Sequence, residues 1–407
     1  MSDFIILAEW LEFAVRWLHV ITAVAWIGSS FYFIALDLGL HRDRNLASGA
    51  DGEEWQVHGG GFYHVQKYLV APAAMPGDLI WFKWESYWTW MSGFALLVLV
   101  YYLGADLYLV DPAVLDLPVW QAIAISLASL AGGWVVYDLL CKSKLGENTT
   151  LLMVLLFAVL VAVAWGYTHV FSGRAALLHL GAFTASIMTG NVFFIIMPNQ
   201  RVVVADLIAG RKPDAKYGKI AKQRSTHNNY LTLPVIFLML SNHYPLAFAS
   251  EWNWLIASLV FLMGVTIRHW FNTHHARRGN PHWTWIVTAL IFLLIVWLST
   301  LPAPVADETQ AMNPAAERFA RADGFAEVEG IVLGRCSMCH AAEPSYTGIH
   351  WAPKGVRLET TAEIAAEARR IYLQAGLTHA MPPANVSFIE PDERAKIVAW
   401  YRAAVAG

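Results

Sequence analysis

Eight stretches of mostly apolar residues, each near twenty long, leave this chain very few ways to fold. They cover approximately 12–36, 86–106, 118–140, 149–171, 176–198, 229–249, 252–272 and 281–301. A bilayer core about 30 Å thick needs roughly 20 such residues per helix. Backbone polar groups find no water there, so each segment must satisfy its own N–H and C=O groups as a helix. Composition agrees: 57% of the 407 residues are hydrophobic and only 14% are charged, well under the roughly 25% of soluble domains. The 19 tryptophans suit membrane interfaces, where amphipathic rings gather. The expected fold is all-α, with an eight-span transmembrane bundle over residues 1–301 and the lipid bilayer as a partner. A net charge of −3 gives no basis for a nucleic-acid partner. Met1 to Glu12 lacks the basic start of a signal peptide, so the first apolar run reads as a retained span.

The loops indicate an orientation. Those after spans one, three, five and seven carry fifteen Lys or Arg residues, among them Arg42, Lys142, Lys219, Arg224 and Arg277. Those after spans two, four and six carry only Arg174. By the positive-inside rule the first set is cytoplasmic. An even span count then places the N-terminus and everything beyond Leu301 in the periplasm of a bacterial inner membrane.

The composition changes at Pro302. A short polar linker, 302–312, leads into 313–407, which is of soluble composition with helical stretches near 324–339, 361–376 and 391–404. Within it, Cys336-Ser-Met-Cys339-His340 is the attachment signature of a c-type haem. Two thiols at this spacing reach one edge of the porphyrin, and His340 then faces the iron. No second Cys/His pair completes a zinc site, which takes four ligands. Met381, followed by two prolines some forty residues downstream, is the expected second axial ligand, with His350 and His379 as competitors. His/Met ligation raises the iron's potential. The tail is therefore expected to be a small class I-like periplasmic cytochrome c domain holding one covalent haem. Trp400 and Tyr401 are expected to pack its last helix on its first. The remaining cysteine, Cys141, stands alone at the end of a span and reads as a packed thiol.

A tethered haem implies that the membrane part gives or takes electrons, and ionisable groups inside spans are functional candidates. Span one holds Glu12, Arg16 and His19; span five holds His179; span seven holds Arg268 and His269; His227-Asn228-Asn229 opens span six. His169, His243 and Asp138 lie near span ends, where interfacial water can satisfy them, and Glu12 with Arg16 can be a plain ion pair. An anionic substrate would need a cation and amide donors, for which Arg16, Arg268, Asn228 and Asn229 are available. Proton removal suits a histidine near neutral pKa, such as His227 or His269. His19 and His179 could hold a b-type haem as an intermediate carrier.

Three runs carry a family resemblance: RWLHVITAVAWIGSSFYF at 16–33, NVFFIIMPNQ at 191–200, and HNNYLTLP at 227–234 continuing through Ser241-Asn-His-Tyr-Pro245. The chain resembles the membrane-bound bacterial urate hydroxylase (urate oxidase) family, whose members join an eight-span domain to a C-terminal cytochrome c. The resemblance implies oxidation of urate with water to 5-hydroxyisourate. It also implies electrons passed to the chain's own c haem and on to a soluble cytochrome c or a respiratory terminal oxidase, without direct oxygen reduction. The alternative is a quinol-linked b/c electron-transfer module without purine chemistry.

Overall fold

In the computed structural model the described residues are 2–68, 76–301, 312, 314–349 and 351–406. The chain is mostly helical, and all eight expected segments fall on helices. They are carried by α1 (Ser2–Gly39), α2 (Trp84–Leu96), α3 (Ala105–Tyr108), α4 (Val119–Lys142), α5 (Thr149–Thr168), α6 (Gly173–Gly190), α7 (Met197–Ile208), α8 (Ala215–Ser241), α9 (Pro245–Phe248), α10 (Asn253–His275) and α11 (Trp283–Ser299). Two π-helical turns interrupt the regular winding: Leu97–Tyr102 after α2, and Asn191–Ile196 between α6 and α7. Five helices are long and apolar enough to cross a membrane: Ile6–Gly39, Val119–Lys142, Thr149–Thr168, Gly173–Ile208 and Asn253–His275. Trp283–Ser299 is a shorter apolar helix.

Two details depart from expectation. The fold is not purely helical, because β1 (Ala50–His58) and β2 (Gly61–Tyr68) form an antiparallel hairpin. Its turn is Gly59-Gly60, both at positive φ, the two-residue connection that suits the twist of paired strands. In addition, α8 starts fourteen residues before the expected 229. It therefore draws Arg224 out of the loop and into the bundle.

Helix α6 sits at the centre, with both of its ends and most of its middle buried. Small residues let its neighbours approach closely. A Cβ on Gly133 of α4 would lie 2.0 Å from the Phe183 ring, and one on Gly190 would lie 1.9 Å from Trp134. At one end of the bundle, the connections after segments one, three, five and seven meet. Arg277 pairs with His41 at 2.7 Å, Lys222 with Asp37 at 3.6 Å, and Gln223 donates to the Gly146 carbonyl at 3.0 Å.

The tail packs on the other end. It consists of α12 (Pro314–Ala320), α13 (Phe325–Arg335), α14 (Ser337–His340), α15 (Thr361–Ala366), α16 (Ala368–Ile371) running into a π turn at Tyr372–Leu377, and α17 (Pro391–Ala406). The three expected helical stretches are present, and α12 is additional. The tail has its own apolar cluster, separate from that of the bundle. Trp400 lies against Phe325, and its indole donates to the Phe319 carbonyl at 2.9 Å. Tyr401 stacks on Tyr372 at 4.3 Å. Of the expected 302–312 linker, all but Met312 lies outside the described residues, as does His350.

Close packing at α4–α6 generates a prediction. Gly133→Ala forces a methyl into the Phe183 ring, and overpacking of this kind costs about 1–3 kcal/mol. The detergent-solubilised variant is expected to melt several degrees below wild type. An unchanged Tm would show that the two helices do not approach in this way.

Candidate functional site

The π turn at Asn191–Ile196 rotates Asn191 inward to the centre of a buried polar network. Such turns recur at functional positions. The Asn191 amide donates to the Tyr137 hydroxyl and to Asn228 Oδ1, each at 2.9 Å. Tyr137 also hydrogen-bonds His227 Nδ1 at 2.8 Å and contacts the Cys141 thiol. Asn191 Oδ1 accepts from Arg224 at 3.2 Å, and Arg224 pairs with Asp138 at 2.7 Å. Lys142 completes the series, 2.6 Å from Asp138. Asn228 ties the network to α6 by donating to the Met188 carbonyl at 2.9 Å. An isolated charge here would be very costly, whereas a paired and hydrogen-bonded one is tolerated.

This network forms one wall of a cavity of about 1300 Å³ between α4, α5, α8 and α10. His227, Tyr137, Arg224, Lys142, Lys219 and His269 all line it. With Nδ1 held by Tyr137, His227 has Nε2 as its remaining ring nitrogen. Tyr137 oxygen can accept from His227 Nδ1–H and from Asn191 while turning its own hydrogen to Cys141. That arrangement leaves Nε2 as a proton acceptor. The reverse tautomer makes Nε2 a donor.

The other expected site residues divide between separate places. His227 and His269 share the cavity, while Asn228 braces it from behind. Asn229 and Arg268 form a second cluster, with Asn229 Oδ1 accepting from Arg268 Nε at 3.3 Å and from Asn272 at 2.9 Å. The Arg268 guanidinium lies 4.3 Å from the centre of the Phe31 ring. Arg16 is ion-paired with Glu12 at 2.5 Å near the tail, away from His227. Asp138 is not an interfacial residue satisfied by water but the buried partner of Arg224. His169 bonds the Trp165 carbonyl of its own helix at 2.7 Å.

Of the expected b-haem pair, both histidines are held through Nδ1, and His179 keeps a buried Nε2 with no hydrogen-bond partner among the described residues. His19 Nδ1 bonds the Thr89 carbonyl at 3.0 Å and Ser92 at 3.2 Å, with its ring pressed against Gly93. His179 is fully enclosed; its Nδ1 bonds the Ala175 carbonyl at 2.8 Å, and the rings of Tyr101, Tyr167 and Phe171 pack around it. Neither lines the cavities described here.

The Cys336–His340 motif fits its expected group. Cys336, Cys339, His340 and Met381 all line one cavity of about 460 Å³, together with Pro353, Val356 and Leu358. His340 Nδ1 bonds the Val356 carbonyl at 2.8 Å, which orients the ring and leaves Nε2 for iron, as ligating histidines require. Arg394 fixes the opposite ligand loop by donating to the Met381 carbonyl at 2.9 Å. Burial pushes the Cys336 thiol up to about 11 and raises Cys339 as well. The membrane bundle supplies the other wall through Arg16, Tyr101, Arg174, Asn242 and His243. Aromatic rings join the two cavities. Phe183, which lines the first, lies 6.4 Å from Tyr167; Tyr167 lies 6.0 Å from His179; and His179 lies 5.8 Å from Tyr101, which lines the second.

Sequence reading missed Tyr137, Asn191 and Arg224. A signal existed: Arg224, His227 and Asn228 recur at helical spacing, as do Tyr137 and Cys141, so each set shares one face. The buried pair is testable. Asp138→Asn strands Arg224 and is expected to cost about 3–5 kcal/mol. Lys142→Gln removes a mostly exposed partner and is expected to cost about 1 kcal/mol or less. Thermal melts of the two variants in detergent should differ clearly, and equal melts would contradict the buried pairing.

No curated protein and no solved structure gives a significant match. A family model described as the urate oxidase N-terminal domain matches residues 5–299, from the start of α1 to the last residue of α11. The matched region takes in both polar clusters and the bundle cavity, and covers well over half of the chain. The chain belongs to the urate oxidase N-terminal family.

Proposed function

We propose that the protein is a membrane-bound urate-oxidising enzyme whose bundle passes electrons to a covalent c-type haem on its own tail. Family membership over residues 5–299 supports a urate-related oxidoreductase. The observation that carries the coupling is the shared cavity, in which Cys336, Cys339, His340 and Met381 face Arg16, Tyr101 and His243 of the bundle. On this reading all eight apolar segments span the bacterial inner membrane. The cation-rich connections are then cytoplasmic, and the N-terminus and tail are periplasmic. That the tail packs on the end away from those connections supports the orientation. Residues 1–301, 302–312 and 313–407 are the membrane domain, linker and cytochrome domain. A soluble cytochrome c or a terminal oxidase takes the electrons onward.

Urate adds one water molecule and releases two electrons and two protons to give 5-hydroxyisourate. The 1300 Å³ cavity gives the purine anion cationic neighbours in Lys142 and Lys219. His227 removes a proton from the attacking water, with its ring held by Tyr137 and Tyr137 held in turn by Asn191. His269 lines the same space and orients the substrate. The rings of Phe183, Tyr167, His179 and Tyr101 provide the chain's own contact between the two cavities. A haem held by Cys336, Cys339, His340 and Met381 supplies a one-electron acceptor of raised potential.

Paired variants test these roles. His227→Ala is expected to slow steady-state urate consumption by about 10²–10⁴-fold, the usual effect of losing a general base, with the c-haem spectrum unchanged. Met381→Ala is expected to alter that spectrum and lower the haem potential. Wild-type turnover in the first variant would remove His227 from the chemistry. An unchanged spectrum in the second would assign the iron to another ligand.

A further inference from the structure

The interdomain cavity carries more cations than acids, and the pairing pattern identifies which cations are left over. Arg16 pairs with Glu12 and Arg369 with Glu9, Arg370 pairs with Glu367, and Arg335 pairs with Glu393. Two lining cations remain with no carboxylate at ion-pair distance among the described residues: Arg174 at the start of α6, and Lys354 of the tail. They are neighbours across the domain boundary, with Arg174 Nη2 donating to the Lys354 carbonyl at 3.3 Å. The Arg174 guanidinium lies 4.9 Å from the centre of the Phe248 ring. Lys354 sits at φ 56°, a left-handed conformation that non-glycine residues rarely adopt and that clusters at ligand clamps. Arg174 is also the only Lys or Arg in the connections after segments two, four and six. Its placement there is therefore not a general feature of those loops.

Arg174 is half-buried and Lys354 exposed at the rim; a half-buried cation without an anion is costly, and the two together beside the cavity lined by Cys336 and Cys339 point to a dianionic ligand. We propose that Arg174 and Lys354, one from each domain, bind the two propionate carboxylates of the porphyrin attached through Cys336 and Cys339. The cofactor thereby becomes part of the joint between tail and bundle. The inference rests on the proposed c-haem reading and adds to it the residues that recognise the porphyrin's acid groups. Charge pairing of this kind also acts on the iron. A cation beside each carboxylate screens its negative field, so removing the cation favours the more positive ferric state and lowers the midpoint potential.

The test is a spectropotentiometric titration of the c haem in the full-length protein, comparing wild type with Arg174→Gln, Lys354→Gln and Arg174→Lys. Each neutralising variant is expected to retain covalent haem and to show a lower midpoint, and Arg174→Lys is expected to restore the wild-type value. Unchanged midpoints in both neutralising variants would overturn the proposal. A drop in Arg174→Lys equal to that in Arg174→Gln would assign the effect to packing on Phe248 and also overturn it. Absence of covalent haem from wild-type protein would instead defeat the underlying cytochrome reading, so the two failures are distinguishable.

Discussion

A polar group buried among apolar helices must find its partner within the protein, and the bundle is organised around one place where several do so together. The series Lys142–Asp138–Arg224–Asn191–Tyr137–His227 links α4, the π turn after α6 and α8 through contacts of 2.6–3.2 Å. Removing one member strands the next, which gives the network structural weight beyond any single bond. The same network orients a histidine into the largest cavity of those described. Packing and the polar lining of that cavity therefore draw on the same side chains, and the π turn that presents Asn191 is the local distortion that lets them meet.

The second organising feature is the seam between bundle and tail. On a freely tethered tail the Cys336–His340 motif would face solvent. Here it faces the start of α1, the π turn after α2, the start of α6 and the end of α8. Contacts at the seam include charged ones, such as the Arg369–Glu9 pair and the Arg370 guanidinium 5.6 Å from the Tyr108 ring, beside the approach of Gly355 to Pro245 and Phe248. Interfaces of this kind permit relative motion more readily than apolar ones. A cofactor gripped from both sides would make the seam depend on its presence. The separate apolar clusters of the two parts fit that division.

Much of this arrangement was legible in the amino-acid order. Apolar runs located the helices because a bilayer permits little else. Loop cations indicated which connections lie together, and the meeting of Arg277 with His41 and of Lys222 with Asp37 agrees. Cys336, Cys339, His340 and Met381 stood out because the spacing is that of a haem-attachment motif, and the four line one cavity. The bundle's polar sites were only half readable. His227 and His269 were found together, but Arg16, Arg268 and Asn229 belong elsewhere, because helical spacing shows which residues share a face and not which neighbouring helix that face meets. Arg224 was counted with the loop because hydropathy cannot see an arginine neutralised by Asp138 from another helix. The π turn leaves no periodic trace, so Asn191 stood out only as the first residue of a family-like run and not as the hub of a buried network. The Gly59-Gly60 pair is the hairpin's one local mark, and it lies in a connection outside the apolar runs.

The central claim is that oxidation in the bundle and reduction in the tail are two halves of one reaction. The direct measurement is anaerobic mixing of urate with purified, oxidised full-length protein, following the c-haem spectrum and the remaining urate together. The account predicts haem reduction without oxygen, with two tails reduced for each urate consumed, as the two-electron chemistry and one haem per chain require. A haem that stays ferric while urate is consumed only when oxygen is admitted, with hydrogen peroxide appearing, would contradict it.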